Sequence, residues 1–351
     1  MLQVVTVRSN LLISILKHRG RLFLSTRTTP LFQQQQTSPR HKRYSHTLAV
    51  INDRSEASVH IPNNASIQSI MSYQLVESSP DAHSPSTCRL RFALPDGREL
   101  LGKHPTLPTC MYVHYDGTNE SGEPQLLKKS YSPISHPDQQ GTFDLLVKGY
   151  PLRPGGGVGS YLCGLQVGDS IQAAVKANKM IHSDAHILGR WQSVGLVAGG
   201  TGIAPLLQLA KILLESKDSR DEACQIKLLS IHRTPEDILL RKDCDDLAAK
   251  YPHRFQVTYS LTGEKTVEED GPWVRDRGSV DLVQRVLPDP DAENGECMVF
   301  VCGRDGFVSH WAGPVTRGLA PPGKKKGPKV QGPLSGLLKD AGYEAHQVFK
   351  Y

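Results

Sequence analysis

The sequence predicts a two-domain chain of the β + α/β class, in which a small antiparallel β-barrel precedes a parallel sheet flanked by helices. Three observations lead to this prediction. The 351 residues are enough for two domains of ordinary size. Strand-like segments in residues 71–191 are short and punctuated by turns, as in residues 89–97. From residue 192 onwards strand and helix patterns alternate, which is typical of a parallel sheet.

The first 44 residues have the composition of a targeting segment. Residues 1–52 contain eight Lys or Arg residues and no Asp or Glu, as is typical of mitochondrial transit peptides. A processing point is expected before Ser45, and removal of the eight cations would change the net charge from +6 to −2. The apolar run of residues 11–16 interrupts the basic residues, so we do not expect a nucleic-acid-binding arm. Residues 45–70 are predicted to be a linker.

The most informative stretch is a glycine-rich turn that opens the second domain. The apolar residues 194–198 predict a buried parallel strand, and residues 203–214 have the apolar spacing of a helix. Glycines between them permit a tight turn and the close approach of a ligand. The free N–H groups at the start of the new helix suit a phosphate. The predicted cofactor-binding residues here are Gly199, Gly200, Thr201, Gly202 and Pro205.

The string Val-Ala-Gly-Gly-Thr-Gly-Ile-Ala-Pro of residues 197–205 resembles the nicotinamide-nucleotide turn of the ferredoxin reductase superfamily, close to its NADH-cytochrome b5 reductase branch. It differs from the fingerprint of free-standing Rossmann dehydrogenases because its third glycine comes too early. The resemblance implies a six-stranded antiparallel β-barrel that binds FAD in residues 71–191. It also implies a Rossmann-like NAD(P) domain with a parallel sheet in residues 192–351.

Two upstream segments are similar to the flavin motifs of this family. Lys129-Ser-Tyr-Ser-Pro-Ile-Ser135 resembles the Arg-x-Tyr-Ser/Thr motif. By that resemblance Tyr131 packs on the flavin ring, Ser132 hydrogen-bonds it near its reactive nitrogen, and Lys129 pairs with the pyrophosphate. Lysine keeps the positive charge of the family's arginine, but it cannot bind a phosphate through two parallel hydrogen bonds as a guanidinium does. Residues 146–150 resemble the Val-Lys-x-Tyr strand beside the FAD phosphates. The residues assigned from these segments are Lys129, Tyr131, Ser132, Pro133, Val147, Lys148 and Tyr150.

A glycine-rich loop in residues 154–162 resembles the helix start that binds the FAD pyrophosphate in this family. The family pattern has a serine where this chain has Gly159, and Ser160 follows one position later. Either the loop is shifted by one residue or Ser160 substitutes for that serine. Main-chain N–H groups at such a helix start suit a pyrophosphate. Residues 174–180 depart from the family pattern, so no adenine contacts are assigned. The assigned residues are Gly156, Gly157, Val158, Gly159 and Ser160.

Further strands and helices are expected in the nucleotide domain, and one strand end carries a candidate site. Ligands of open α/β sheets bind beyond the carboxyl ends of the strands, which makes Cys302 and Gly303 candidates. In the family this cysteine lies near the nicotinamide, so Cys302 is assigned with Tyr131 and Ser132 as catalytic. The predicted strands are residues 225–231, 254–261 and 297–302, and the predicted helices are residues 238–249 and 279–286.

Two further features concern the nicotinamide nucleotide and the last residue. Residues 232–240 resemble the family segment that reads the adenosine ribose. Asp237 stands where an acid repels a 2′-phosphate, whereas Arg233 would pair with one. Both NADH and NADPH therefore stay open, with a slight preference for NADH. Tyr351 fits the b5 reductase pattern, in which the last strand ends in an aromatic, better than the plant-type pattern, in which a terminal aromatic covers the flavin.

Other residue patterns indicate neither a metal site nor a membrane span. The seven cysteines contain no Cys-x-x-Cys pair, so no disulfide framework is predicted. The fourteen histidines contain one His-x-x-x-His pair, His182 and His186, and no metal site is predicted from this single pair. No stretch reaches the roughly 20 apolar residues that a membrane span needs, although peripheral attachment to the inner membrane stays open. The basic residues 320–329 are either a solvated insertion or a surface that attracts an acidic partner.

The resemblance implies a mitochondrial FAD-dependent NAD(P)H reductase that passes electrons to a haem protein. One candidate acceptor is cytochrome b5. The other is haem or apocytochrome c during cytochrome c maturation, because residues 331–351 are similar to fungal mitochondrial flavoreductases with that role. A hypothesis of another class is a non-enzymatic mitochondrial assembly factor on the same fold, motivated by the departures at Lys129, Gly159 and residues 174–180. The sequence does not specify an oligomeric state.

Overall fold

A computed structural model describes most of the chain beyond residue 68 and three short strands before it. Residues 1–58 and 59–351 form two compact units. The first unit contains an antiparallel sheet of β1 (Val4–Thr6), β2 (Leu12–His18) and β3 (Arg21–Arg27). The predicted boundaries of the targeting segment, linker and domains stay predictions. The described residues are 4–6, 12–18, 21–27, 69–81, 84–95, 101, 109–118, 121–149, 157–177, 190–217, 219–263, 271–291, 297–320, 322–323, 327 and 329–351.

The second unit begins with a six-stranded antiparallel sheet. Its order is β7-β6-β9-β4-β5-β8, and an isolated bridge between Pro133 and Leu145 links the two edges. Phe143 packs edge-on against Tyr73 and stacks on Phe92 inside this barrel, with ring centroids 5.3 and 5.4 Å apart. The predicted antiparallel domain is therefore confirmed. Its elements are β4 (Met71–Asp81), β5 (Ser84–Ala93), β6 (Thr109–Thr118), β7 (Pro124–Tyr131), β8 (Thr142–Lys148), α1 (Val158–Gly164) and β9 (Ser170–Ala177).

A six-stranded parallel sheet follows, in the order β13-β12-β11-β10-β14-β17, which confirms the predicted α/β domain. Its strands are β10 (Ser193–Gly199), β11 (Gln225–His232), β12 (Phe255–Leu261), β13 (Trp273–Arg275), β14 (Cys297–Cys302) and β17 (Val348–Lys350). The helices are α2 (Ile203–Leu214), α3 (Ser219–Glu222), α4 (Arg241–Lys250), α5 (Val280–Val286), α6 (Asp305–Ala312) and α7 (Leu337–Asp340). A small antiparallel pair, β15 (Thr316–Arg317) and β16 (Lys329–Val330), completes the domain.

Most predicted elements of this domain have the expected positions. The α2 helix spans the predicted residues, and the side chain of Ser279 caps α5 by accepting the Leu282 N–H at 3.1 Å. The helix predicted from residue 238 is wrong at its start, because α4 begins at Arg241. Leu240 has a left-handed backbone, with φ of 52°, and this interrupts the helical path.

Buried polar contacts join the barrel to the parallel-sheet domain through α2. The Gln208 side chain is fully buried and accepts the Thr109 N–H at 2.9 Å. It also donates to the Ser135 carbonyl at 3.3 Å, and the Lys211 ammonium donates to the Ile134 carbonyl at 2.7 Å. Buried polar groups are costly unless they are paired, so these contacts favour one relative placement of the two domains.

Candidate functional site

A cavity of about 560 Å³ lies where β10 and β14 end. These strands are neighbours in the sheet, but the chain leaves β10 toward β11 on one side and returns to β14 on the other. Such a reversal of strand order opens a crevice at the carboxyl ends of the strands. The structure brings these sequence-predicted residues together around the cavity: Lys129, Tyr131, Ser132, Lys148, Gly199, Gly200, Thr201, Gly202, Pro205, Arg233, Asp237, Cys302 and Gly303.

The glycine turn forms one wall of this cavity, and two of its glycines are needed for different reasons. Gly200 has φ of 55°, which residues with a side chain rarely adopt, and a Cβ there would meet no atom within 4 Å. Gly202 lies against the neighbouring strand, where a Cβ would stand 2.2 Å from the Cys302 carbonyl oxygen. The turn therefore packs tightly against β14 and leaves open space at Gly200.

The first turn of α2 begins directly after these glycines. Gly202 is its N-cap, no acidic side chain lies in the first turn, and Pro205 occupies the third helical position. The N–H groups and positive dipole end of the helix therefore keep their capacity to bind an anion. Because Ala204 and Pro205 line the cavity, this end of it suits a phosphate group.

Cys302, the last residue of β14, and Gly303 directly after it form the floor of the cavity. The Cys302 side chain is buried, and burial raises the pKa of its thiol to about 12. The group is therefore a neutral thiol at physiological pH and not a nucleophilic thiolate. Gly303 packs against the Phe307 ring, where a Cβ would stand 2.5 Å from a ring carbon. This floor is apolar and uncharged.

A second segment, residues 232–239, lines the cavity beyond β11. His232 is buried, and its Nε2 is 2.8 Å from the Ser230 hydroxyl. Burial lowers the pKa of this imidazole to about 4, so it is neutral at pH 7. Arg233 and Asp237 both line the cavity. Arg233, which would attract a 2′-phosphate, and Asp237, which would repel one, therefore both lie beside the cavity.

Strands β7 and β8 form the opposite wall. Lys129 and Tyr131 are two positions apart on β7, and the Lys129 ammonium lies 5.4 Å from the centre of the Tyr131 ring. Leu146 and Lys148 face the cavity from β8. The Val147 side chain between them is fully buried in the barrel core, because successive side chains of a strand point to opposite faces.

Tyr351 also lines the cavity, and its hydroxyl lies 3.0 Å from the Ser132 hydroxyl. The Tyr351 N–H donates to the Val301 carbonyl at 2.9 Å. Burial raises the pKa of the phenol well above its usual value, with smaller contributions from Cys110 and Cys302, and the Ser132 bond opposes the shift. The sequence pattern favoured an aromatic that only ends a strand. Tyr351 does directly follow β17, and its hydroxyl also lies beside the hydroxyl of Ser132, which is predicted to contact the flavin.

Several predicted residues do not line the cavity. Pro133 is buried where it links the barrel edges, and Val147 is in the barrel core. The α1 helix begins beside the barrel with Gly157 as its N-cap, and Val158 is buried in the barrel core. Tyr150 and Gly156 lie outside the described residues. The predicted helix-start residues that do not line the cavity are Gly157, Val158, Gly159 and Ser160.

Sequence reasoning missed other residues that line the cavity. Thr262 directly follows β12, His232 ends β11, and Arg304 follows β14 by two positions. The rule that ligands bind beyond strand ends would have indicated all three if it had been applied to every predicted strand. Phe307 gave no such signal, because its role is to cover Gly199 and Gly303 from the first turn of α6.

The donor set fits a flavin and a nicotinamide nucleotide. Four cations and one acid are among the described lining residues, as expected for phosphate-bearing ligands. The volume lies within the range of roughly 300–1,000 Å³ that is usual for ligand sites. Of the described helices, none is long and apolar enough to cross a membrane. The described residues also contain no group of three His, Cys, Asp or Glu side chains placed to hold a metal ion.

Comparisons with known families match both halves of the chain. Residues 75–179 match the oxidoreductase FAD-binding domain, and residues 196–312 match the oxidoreductase NAD-binding domain. The chain is 33% identical to NADH-cytochrome b5 reductase 2 of Neosartorya fischeri over 277 residues, which is 76% of this chain and 74% of that protein. It is 32% identical to the protein of the same name from Saccharomyces cerevisiae over 276 residues, covering 77% and 80% of the two chains.

Solved structures share the fold at lower identity. The cytochrome b5 reductase domain of Ulva prolifera nitrate reductase gives a TM-score of 0.60 at 21% identity, covering 81% of this chain and 97% of that one. The CS-b5R domains of human Ncb5or, in the NAD+ form, give a TM-score of 0.59 at 17% identity, covering 83% and 71%. These likenesses support the arrangement of a barrel followed by a parallel-sheet domain.

Proposed function

The chain belongs to the NADH-cytochrome b5 reductase family of FAD- and NAD-dependent oxidoreductases, and we propose that its electron acceptor is a haem protein of the cytochrome b5 type. The names of the relatives support this acceptor, and one structural observation supports the hydride transfer that precedes the electron transfer. The glycine turn at the end of β10 and the Tyr131–Ser132 wall of the barrel face a single cavity. A donor and an acceptor of a hydride must meet in such a place.

The nucleotide wall is expected to hold the reduced nicotinamide nucleotide. The glycine turn and the start of α2 provide N–H groups for its phosphates. Cys302 and Gly303 provide an uncharged floor beside the nicotinamide. We expect Arg233 and Asp237, which line the cavity, to face the ribose, because residues 232–240 resemble the family segment that reads it.

The barrel wall is expected to hold FAD. Lys129 and Lys148 provide the cations for its phosphates, and Tyr131 provides an aromatic face for its ring. The Ser132 hydroxyl can both donate and accept a hydrogen bond, which suits a ring that alternates between redox states. When bound, FAD supplies the redox chemistry, because it accepts a hydride and releases electrons singly.

The protein needs no acid or base for the hydride transfer itself. Cys302, His232 and Tyr351 are neutral at physiological pH, because burial shifts each pKa away from the charged form. Their role is to align the two cofactors and to exclude water from the place where they meet. The charged side chains that line the cavity are expected to bind the phosphates of the two cofactors.

The acceptor can be tested directly with the purified protein. NADH-dependent reduction of cytochrome b5 should saturate with the cytochrome, and its rate should exceed the rate with free haem or apocytochrome c loaded with haem. The second acceptor remains a candidate because residues 331–351 are similar to flavoreductases of cytochrome c maturation. A faster reaction with haem than with cytochrome b5 would favour that role and would contradict the first.

We also propose a mitochondrial location, supported by the acid-free, Arg-rich residues 1–44. A fusion of these residues to a fluorescent protein should enter mitochondria, and the chain without them should not. Salt or carbonate extraction of isolated mitochondria would then separate peripheral attachment to the inner membrane from a free matrix or intermembrane form. A fusion that stays outside mitochondria would contradict the proposal.

A further inference from the structure

Leu240 has an unusual backbone for a residue with a bulky side chain. Among the residues that the structure describes, it is the only non-glycine residue with a positive φ, at φ 52° and ψ 31°. Its side chain is fully buried. L-residues avoid this conformation, and it persists only where the surroundings impose it. The contacts of Leu240 should therefore show which neighbouring groups stabilise this conformation.

The contact that holds Leu240 comes from the barrel domain. The Asp81 carboxylate accepts the Leu240 N–H at 3.1 Å, although the two residues are 159 positions apart. Asp81 is the last residue of β4 and is buried. Leu240 is also the N-cap residue of α4, and its own carbonyl accepts the Cys244 N–H at 3.0 Å. Asp81 thus fixes the backbone of the N-cap residue of a helix in the other domain.

A second contact ties the same two elements. Arg89 on β5 makes a two-pronged ion pair with Asp243 in the first turn of α4, and one of its N–O distances is 3.0 Å. Strands β4 and β5 are paired neighbours in the barrel. The adjacent strands β4 and β5 therefore hold the start of α4 at two points.

The left-handed residue determines where the preceding segment goes. Residues 232–239 line the cavity through His232, Arg233, Asp237 and Leu239. The sequence pattern predicts that the helix begins at Ile238. The left-handed conformation of Leu240 instead makes α4 begin at Arg241. The short 3₁₀ turn Pro235–Asp237 is thereby kept apart from α4 and beside the cavity.

We propose that Asp81 is a positioning residue for the nicotinamide nucleotide: by accepting the Leu240 N–H across the domain boundary, it keeps residues 232–239 in place beside the cavity, opposite the flavin wall. This inference rests on the proposed function. It assigns to the FAD domain a part in binding the other cofactor. Asp81 does not line the cavity, and the proposal predicts that its removal leaves the FAD content unchanged.

The test compares Asp81→Ala, Asp81→Asn and Glu77→Ala by stopped-flow reduction of the FAD-loaded protein with NADH. In Asp81→Ala the NADH concentration at half-maximal rate should rise at least tenfold, while the maximal rate stays within about threefold and the FAD content and midpoint potential do not change. Asp81→Asn keeps an oxygen that can accept the N–H, so it should stay within about threefold of wild type. Glu77→Ala removes another carboxylate of β4, which forms an ion pair with Arg91, and its NADH dependence should equal that of wild type.

Three results would overturn the inference. They are an unaltered NADH dependence in Asp81→Ala, a parallel fall in FAD content and both kinetic constants, and an Asp81→Asn variant as impaired as Asp81→Ala. If Asp81→Ala does not fold, Asp81→Glu decides, because it moves the carboxylate by one methylene and should raise the half-maximal NADH concentration at least threefold. An unchanged value in that variant overturns the inference. Failure of wild type to be reduced by NADH would instead contradict the proposed function.

Discussion

The two walls of the cavity are built in different ways. The nucleotide wall is made largely of backbone, because Gly199, Gly200 and Gly202 and the start of α2 present main-chain groups at a close approach. The flavin wall is made of side chains, such as Lys129 and Tyr131, that stand on one face of a barrel strand. Both walls are expected to bind phosphates, but they do so with different chemistry.

This difference predicts how each wall fails. A backbone wall fails by collision, since an added methyl group has to displace a neighbouring strand. A side-chain wall fails gradually, because one lost contact leaves its neighbours in place. The following experiments compare the two walls, from the largest expected effect to the smallest.

Gly202→Ala should have the largest effect. The new Cβ would stand 2.2 Å from the Cys302 carbonyl oxygen and 2.8 Å from the Gly303 nitrogen. Because a misplacement of about 1 Å can cost on the order of 100-fold in rate, reduction of the flavin by NADH should slow by about that factor. Stopped-flow absorbance measures the rate. Gly306→Ala is the matched control, since its Cβ would meet nothing within 4 Å. Equal rates in both variants would contradict the close packing of this wall.

The buried His232 should make the nucleotide wall sensitive to acid. Its pKa is lowered from 6.5 to about 4 by burial, so the unfolded chain takes up a proton at a higher pH than the folded one. Stability is therefore intact above pH 6.5 and is lost as the pH falls toward 4. By linkage, the free energy of unfolding should drop by about 2 kcal/mol between pH 7 and pH 5. Urea titrations of wild type and His232→Gln check this, and equal acid sensitivity would contradict it.

Lys129→Ala tests the flavin wall. Loss of one charged contact to a phosphate should weaken FAD binding by about tenfold. Lys129→Arg should tighten it, because the guanidinium binds a phosphate with two parallel hydrogen bonds. Lys128→Ala is the matched control, since this neighbouring lysine is exposed but does not line the cavity. Fluorescence titration of the apoprotein with FAD measures all three. Full affinity in Lys129→Ala would refute the pyrophosphate assignment.

Ser132 and Tyr351 give the smallest expected effect. Their hydroxyls are 3.0 Å apart, so Tyr351→Phe and Ser132→Ala should each reduce the free energy of unfolding by about 1 kcal/mol. If Ser132 contacts the flavin, Ser132→Ala should also slow flavin reduction by about fivefold, whereas Tyr351→Phe should leave the rate nearly unchanged. Equal rates in the two variants would assign no separate role to the serine.

The sequence predicted the nucleotide wall closely because its chemistry is local. Residues 194–214 contain the strand, the glycines and the helix in one continuous pattern, and β10 and α2 have the expected positions. The parallel order of the sheet follows from the alternation of strands and helices. The sequence predicted the flavin wall less completely. The alternation of side chains on a strand would have separated Lys148 from the buried Val147, but family similarity grouped them together.

Long-range contacts were beyond sequence reasoning. The hydroxyl contact between Ser132 and Tyr351 joins residues 219 positions apart, and the Asp81–Leu240 bond joins residues 159 apart. No local pattern indicates either contact. The left-handed Leu240 contradicted the helical pattern around it because a buried carboxylate from another domain stabilises it. Such residues are determined by how the two domains pack together.

The most direct test of the account is the visible spectrum of the purified protein before and after anaerobic addition of NADH. We predict a bound flavin whose absorbance bleaches as NADH is added, since both walls face one cavity. Bleaching by NADPH and not by NADH would make Arg233 the residue that selects the nucleotide. A colourless protein that FAD does not reconstitute, or a bound flavin that neither nucleotide reduces, would contradict the account and favour a non-enzymatic assembly factor on this fold.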